Sequence, residues 1–88
     1  MGRERVLFKS EERKSSVEIA EALRQIADKV EGGTMILKRN SEEITVEFPR
    51  NMVLEMKVEE ERGKRLKRSF EVELEWIEGD EGGETTIL

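Results

Sequence analysis

From Ser69 to Trp76 apolar and acidic residues alternate without a break: Phe70, Val72, Leu74 and Trp76 fall on one parity, Glu71, Glu73 and Glu75 on the other. A period of two places each set on its own face of a strand, whereas a helix would scatter both around its axis. The chain must therefore hold at least one strand with an apolar side and a wet side. A strand cannot exist alone, so the constraint extends to its neighbours.

The best neighbour is the segment 52–61, joined to 66–76 by a loop carrying Gly63. One register sets Val58 opposite Phe70, Met56 opposite Val72, Leu54 opposite Leu74 and Met52 opposite Trp76. The other face then sets Lys57 against Glu71 and Glu61 against Lys67, with Glu55 also among the glutamates. A slip of two residues would place Val58 against Arg68, which is poorer. A second hairpin is predicted around Asn40-Ser41. It pairs Arg39 with Glu42, Lys38 with Glu43, Leu37 with Ile44 and Met35 with Val46. Opposite charges meet on one side and apolar groups on the other. Pro49-Arg50-Asn51 then breaks the alternation.

Upstream the period changes. Ile19, Leu23, Ile26 and Val30 recur at spacings of four, three and four, with Ala20 and Ala27 widening the stripe. This predicts one amphipathic helix over 16–30. Ser15-Ser16-Val17-Glu18 reads as its capping box, and Gly32-Gly33 as its stop. A short strand is predicted over 5–9, with Val6 and Phe8 on one face. The order is β-α-β-β-β-β. The expected fold is α+β: a two-layer sandwich with one helix packed on a mainly antiparallel sheet of about five strands. Residues 1–77 are expected to form a single domain, and 78–88 an acidic, glycine-rich flexible tail.

Composition narrows the chemistry. The chain has 88 residues, and charged residues make up 42% against 35% hydrophobic. Periodic apolar segments argue for a folded domain with a heavily charged surface rather than disorder. Cysteine and histidine are both absent. That removes disulfides, thiol nucleophiles, zinc–thiolate sites, the commonest general base and the commonest metal ligand. No run approaches the ~20 apolar residues of a membrane span. The N-terminus lacks the apolar core of a signal peptide, so a cytoplasmic location is expected. Abundant Glu, Lys and Arg with a single Gln follow a thermophile tendency.

The strand Phe70-Glu71-Val72-Glu73-Leu74-Glu75-Trp76, ending in tryptophan, resembles the signature of the amphi-Trp domain family. So does Val6-Leu7-Phe8-Lys9-Ser10-Glu11-Glu12 followed by the helix Leu23-Arg24-Gln25-Ile26-Ala27-Asp28-Lys29-Val30. The resemblance runs from Val6 to about Glu78. It implies a small prokaryotic protein or domain. It assigns no activity and carries over no catalytic residue.

Two surfaces are candidate sites. Leu7, Ile36 and Val53, with Ile77 as a neighbour, put apolar groups on the outer, charged face and form a candidate protein interface. Arg62, Lys64, Arg65, Lys67 and Arg68 cluster on the second hairpin tip and form a candidate anion or nucleic-acid contact. Against the latter stand the net charge of −5, the facing Glu59, Glu60 and Glu61, and the lack of aromatics in the cluster. Glu71, Glu73 and Glu75 read as a solvated face. Trp76 reads as core, with an indole N–H in need of an acceptor. Glu78, Asp80, Glu81 and Glu84 lack the spacing of a calcium loop. No phosphate-cradling motif occurs. No catalytic residue, metal site, cofactor or specific small molecule is expected. The function expected is a small non-enzymatic protein-interaction or accessory module, bound to a protein partner or to itself as a homodimer. The alternative is a nucleic-acid-associated protein using residues 62–68.

Overall fold

A computed structural model of the chain describes residues 2–79 and 87. Most of the tail predicted over 78–88 lies outside the described residues. The elements run α1 (Ser16–Gly32), β1 (Thr34–Arg39), β2 (Glu42–Glu47), β3 (Val53–Arg62) and β4 (Leu66–Glu75). The class is α+β. The chain divides into two compact units, Met1–Phe48 and Pro49–Leu88.

In the first unit, α1 begins at a complete capping box. The Glu18 backbone N–H donates to Ser15 Oγ at 3.1 Å, and the Ser15 N–H donates to Glu18 Oε1 at 3.1 Å. Two donors that no helical carbonyl can reach are thereby satisfied. Gly33 ends the helix in the left-handed region, φ 91°, and its N–H donates to the Lys29 and Val30 carbonyls. A side chain there would meet its own backbone, so glycine is the residue that lets the chain leave the helix and turn at once into β1. β1 and β2 pair antiparallel, Arg39 with Glu42, Leu37 with Ile44 and Met35 with Val46, as the sequence predicts. The turn puts Asn40 at φ 54°, a conformation asparagine tolerates. α1 lies against β1. Met35, Leu37, Ile44 and Val46, all on one face of the hairpin, are half-buried, as are Ala20 and Val30 on the helix. Of the predicted helical stripe, however, Ile19, Leu23 and Ile26 are exposed, so the apolar layer here is partial.

The second unit is the hairpin β3–β4, ten residues on each strand. Its register is the predicted one: Val58 opposite Phe70, Met56 opposite Val72, Leu54 opposite Leu74, Lys57 opposite Glu71. Arg62 and Leu66 close a loop of Gly63, Lys64 and Arg65.

Two expectations need correction. Residues 5–9 form no strand. Five alternating residues bury too little to hold a strand without a ladder partner, and β1 and β2 pair only with each other. The strands also do not make one sheet of five. They form two two-stranded sheets, β1–β2 and β3–β4. Pro49 lacks the N–H a ladder needs, and it stands in the connection between the two hairpins.

Candidate functional site

Alternation sends the even-numbered residues of β3 and β4 to one face and the odd-numbered ones to the other. The two faces differ completely in chemistry.

The even face is apolar along most of its length. Leu54, Met56, Val58, Phe70 and Val72 expose between 52% and 73% of their surface. Leu74, Met52 and Trp76 are half-buried toward the open end of the hairpin. The sequence reading makes these residues core, but among the described residues no side chain is buried. The signal that places them on one face is the alternation itself. Nothing in an alternation says whether anything lies over the face.

Toward the loop this face turns charged. Glu60 is held by two arginines: Arg68 Nη2 stands 3.1 Å from Glu60 Oε1 and Arg62 Nη2 stands 3.3 Å from Oε2. The predicted basic cluster is thus brought together on the tip but divided in use. Arg62 and Arg68 bind Glu60, whereas Lys64, Arg65 and Lys67 make no ion pair within 4.0 Å among the described residues. At the opposite end Trp76 Nε1 donates to Glu78 Oε2 at 3.2 Å, which gives the indole the acceptor it needs. Beside it lies an open cleft of about 370 Å³, lined by Asn51, Met52, Val53, Glu75, Trp76 and Ile77.

The odd face is wet, and Glu71, Glu73 and Glu75 are all exposed. Lys57 Nζ lies 2.7 Å from Glu59 Oε1 and 3.3 Å from Glu71 Oε2. These hydrogen bonds, to Glu59 first and then Glu71, raise the ammonium pKa above its ordinary value. Further along, register sets Glu55 opposite Glu73. With Glu75 they bring one carboxylate oxygen each within 4.8 Å of one another. Oxygen ligands at that spacing suit a hard cation, but all three groups are exposed and water solvates them equally well.

The expected apolar interface is dispersed. Leu7 lies in the irregular N-terminal segment and Ile36 on β1, both in the first unit, while Val53 lies on β3 opposite Glu75. All three are exposed. Among the described residues no helix is long and apolar enough to cross a membrane.

These features define a small α+β protein made of amphipathic hairpins and a capped amphipathic helix, with one hairpin ending in tryptophan. The model of the Amphi-Trp domain matches residues 1–88, so the chain belongs to that family, as the strand ending in Trp76 suggests. No curated protein matches the chain. No solved structure matches it either.

Proposed function

We propose that this chain is a small non-enzymatic interaction module whose binding surface is the even face of β3–β4. The observation that carries the reading is the row Leu54, Met56, Val58, Phe70 and Val72, exposed together on one face. A two-stranded hairpin in water is marginal at best, and a covered face is what normally stabilises it. Exposed apolar rows of this size mark association surfaces. A partner laid on this face supplies the second layer of a sandwich.

The test is capture from a native lysate by the tagged full-length chain, with and without nuclease. Retention of protein partners after nuclease, and their loss in Val72→Glu, is the expected result. Equal capture by both chains would sink the reading. A second reading rests on Lys64, Arg65 and Lys67, cations at the tip outside any ion pair among the described residues. In it the tip contacts nucleic acid. Capture that disappears with nuclease and weakens steeply with salt would favour it.

A further inference from the structure

The ribbon β3–β4 has two open edges as well as two faces. Among the described residues β3 pairs with β4 alone, and β4 with β3 alone. The ladder runs from Val53–Glu75 to Arg62–Leu66 with one partner per residue and no bulge, and neither strand contains proline or glycine. At every second residue, each strand therefore turns an N–H and a C=O away from its neighbour. Long regular edges of this kind accept another strand unless charge or shape prevents it. An antiparallel self-pairing that sets odd residues opposite odd ones brings the open groups of two copies together. Charge separates the two edges. β3 carries Glu55, Glu59, Glu60 and Glu61 against Lys57 and Arg62. Paired with itself in this way, it places a glutamate opposite a glutamate or opposite Val53 in every register of more than one rung. The edge of β3 is thus blunted.

β4 is divided about Phe70. Lys67 and Arg68 precede it, with Arg65 continuing the basic half into the loop, while Glu71, Glu73 and Glu75 follow it. Arg65 and Glu75 stand five residues to either side of Phe70, and Lys67 and Glu73 three. None of these four enters an ion pair among the described residues. Glu73 and Glu75 are instead left with Glu55, their carboxylate oxygens within 4.8 Å of one another. We propose that β4 pairs along its open edge with β4 of a second copy of this chain, antiparallel about a two-fold axis through Phe70. This register sets Arg65 opposite Glu75 and Lys67 opposite Glu73, each twice by symmetry. Directly opposite residues lie on the same side of a sheet, so the unpaired cations of one copy meet the unpaired carboxylates of the other. On the even side Leu66 comes opposite Leu74 and Phe70 opposite Phe70. Arg68, already bound to Glu60, comes opposite Val72. A slip of two residues in one direction would set Glu71 against Glu71, and in the other would shorten the paired stretch.

The contact is isologous and closes on itself, so it stops at a dimer. Its sheet has four strands in the order β3-β4-β4-β3, and the blunted β3 strands form both outer edges. Main-chain hydrogen bonds supply the attraction and the charge pairs fix the register. A lone two-stranded ribbon is marginal in water, and four strands with one apolar face are not. The pairing goes beyond the interaction-module reading, because it uses the edge of β4 and leaves the even face open.

The experiment is a charge swap read by mass in solution, using light scattering and sedimentation on the full-length chain. Wild type is expected at twice its chain mass of 10.2 kDa. One variant, Arg65→Glu with Lys67→Glu, makes this side of β4 acidic throughout; the other, Glu73→Lys with Glu75→Lys, makes its two ends basic. Each alone sets like charges opposite each other and is expected to run as a 10.2 kDa monomer at concentrations where wild type is dimeric. An equimolar mixture matches all four pairs and restores the doubled mass, which also shows that neither variant has lost its fold. Variants that stay dimeric alone, or a mixture that stays monomeric, would overturn the pairing. Register is read by cross-linking, since the chain has no cysteine of its own. Phe70→Cys lies directly opposite its counterpart, about 5 Å away between Cα atoms, and is expected to form an intermolecular disulfide on mild oxidation. Leu66→Cys lies roughly 26 Å from its counterpart and is expected to form none. Cross-linking through Leu66→Cys but not Phe70→Cys would overturn the axis. Val72→Glu sets a carboxylate opposite Arg68 of the second copy, so it is expected to stay dimeric while losing capture from lysate. A monomeric wild type whose capture is lost in Val72→Glu would overturn the pairing and leave the interaction module standing. A dimer whose capture is indifferent to Val72→Glu would do the reverse.

Discussion

The two hairpins of this chain follow one pattern and end in different environments. Both pair antiparallel in a register that sets apolar residues opposite one another on one side. β1–β2 is the shorter, six residues a strand; α1 contacts β1, and Met35, Leu37, Ile44 and Val46 are half-buried. β3–β4 has ten residues a strand and leaves its apolar row exposed. Its wet side, by contrast, carries the linked ion pairs of Lys57 with Glu59 and Glu71. The short hairpin gains its stability from cover. The long one depends on more ladder bonds, on cross-strand charge and on whatever its apolar face meets. The same binary pattern is therefore half-buried in one place and exposed in the other.

The largest expected effect separates those two environments. Leu37→Asp puts a charge at a half-buried position of β1 and is expected to cost about 2–3 kcal/mol. Helical signal should be lost with it in urea titrations followed by circular dichroism. Val58→Asp makes the same change in kind on the exposed face. It is expected to alter unfolding by no more than about 0.5 kcal/mol, while abolishing capture of partners from lysate. Equal destabilisation by the two substitutions would break the comparison, since it would mean that both faces are covered to the same degree.

The registers of both hairpins are legible in the sequence because several independent pairings agree. Leu37 with Ile44, Lys38 with Glu43 and Arg39 with Glu42 all demand the same turn, and a one-residue slip inverts every one of them. The helix start is legible for a similar reason, since Ser15 and Glu18 satisfy each other at fixed spacing. The segment 5–9 misleads because alternation over five residues records what a strand would look like, not whether a neighbour exists to pair with it. The core assignment of Val58, Phe70 and Val72 fails on the same ground. Covered and uncovered faces have one alternation, and cover is a property of non-local neighbours. For the candidate site, the basic tip is visible as a charge run, but its division into Glu60-bound and unbound cations depends on which side chains share a face.

Next in size are two local changes confined to the covered unit. Gly33→Ala forces a side chain into φ 91° at the helix end. It is expected to cost about 1–2 kcal/mol and to lower the melting temperature without changing association through β3–β4. Ser15→Ala removes the acceptor for the Glu18 N–H and is expected to cost about 1 kcal/mol. The backbone N–H of Ser15, and then its hydroxyl, hold the Glu18 carboxyl below its ordinary value of 4.5. A depressed folded pKa contributes stability that is present above the unfolded value and lost as pH falls through the folded one. Helix melting followed from pH 6 downward should show wild type losing this contribution below about 4.5. Glu18→Gln should lack that part of the pH dependence.

The smallest effect belongs to the exposed unit and probes what holds its wet face. Lys57 bridges Glu59 on its own strand and Glu71 across the ladder, and both hydrogen bonds raise its pKa. A raised folded pKa gives stability that is fully present below the unfolded value of 10.5 and is lost as pH rises through the folded one. The contribution is thus constant through neutral pH and disappears only in strong alkali. It is also small, because all three side chains face water and salt screens them within about 10 Å at 0.1 M. Lys57→Gln should lower the strand signal slightly in low salt, and the difference from wild type should vanish near 1 M salt. A difference that persists at high salt would mean that Lys57 acts through the packing of its aliphatic stem rather than its charge. The wet face of β3–β4 would then resemble the covered face of β1–β2 more closely than its exposure implies.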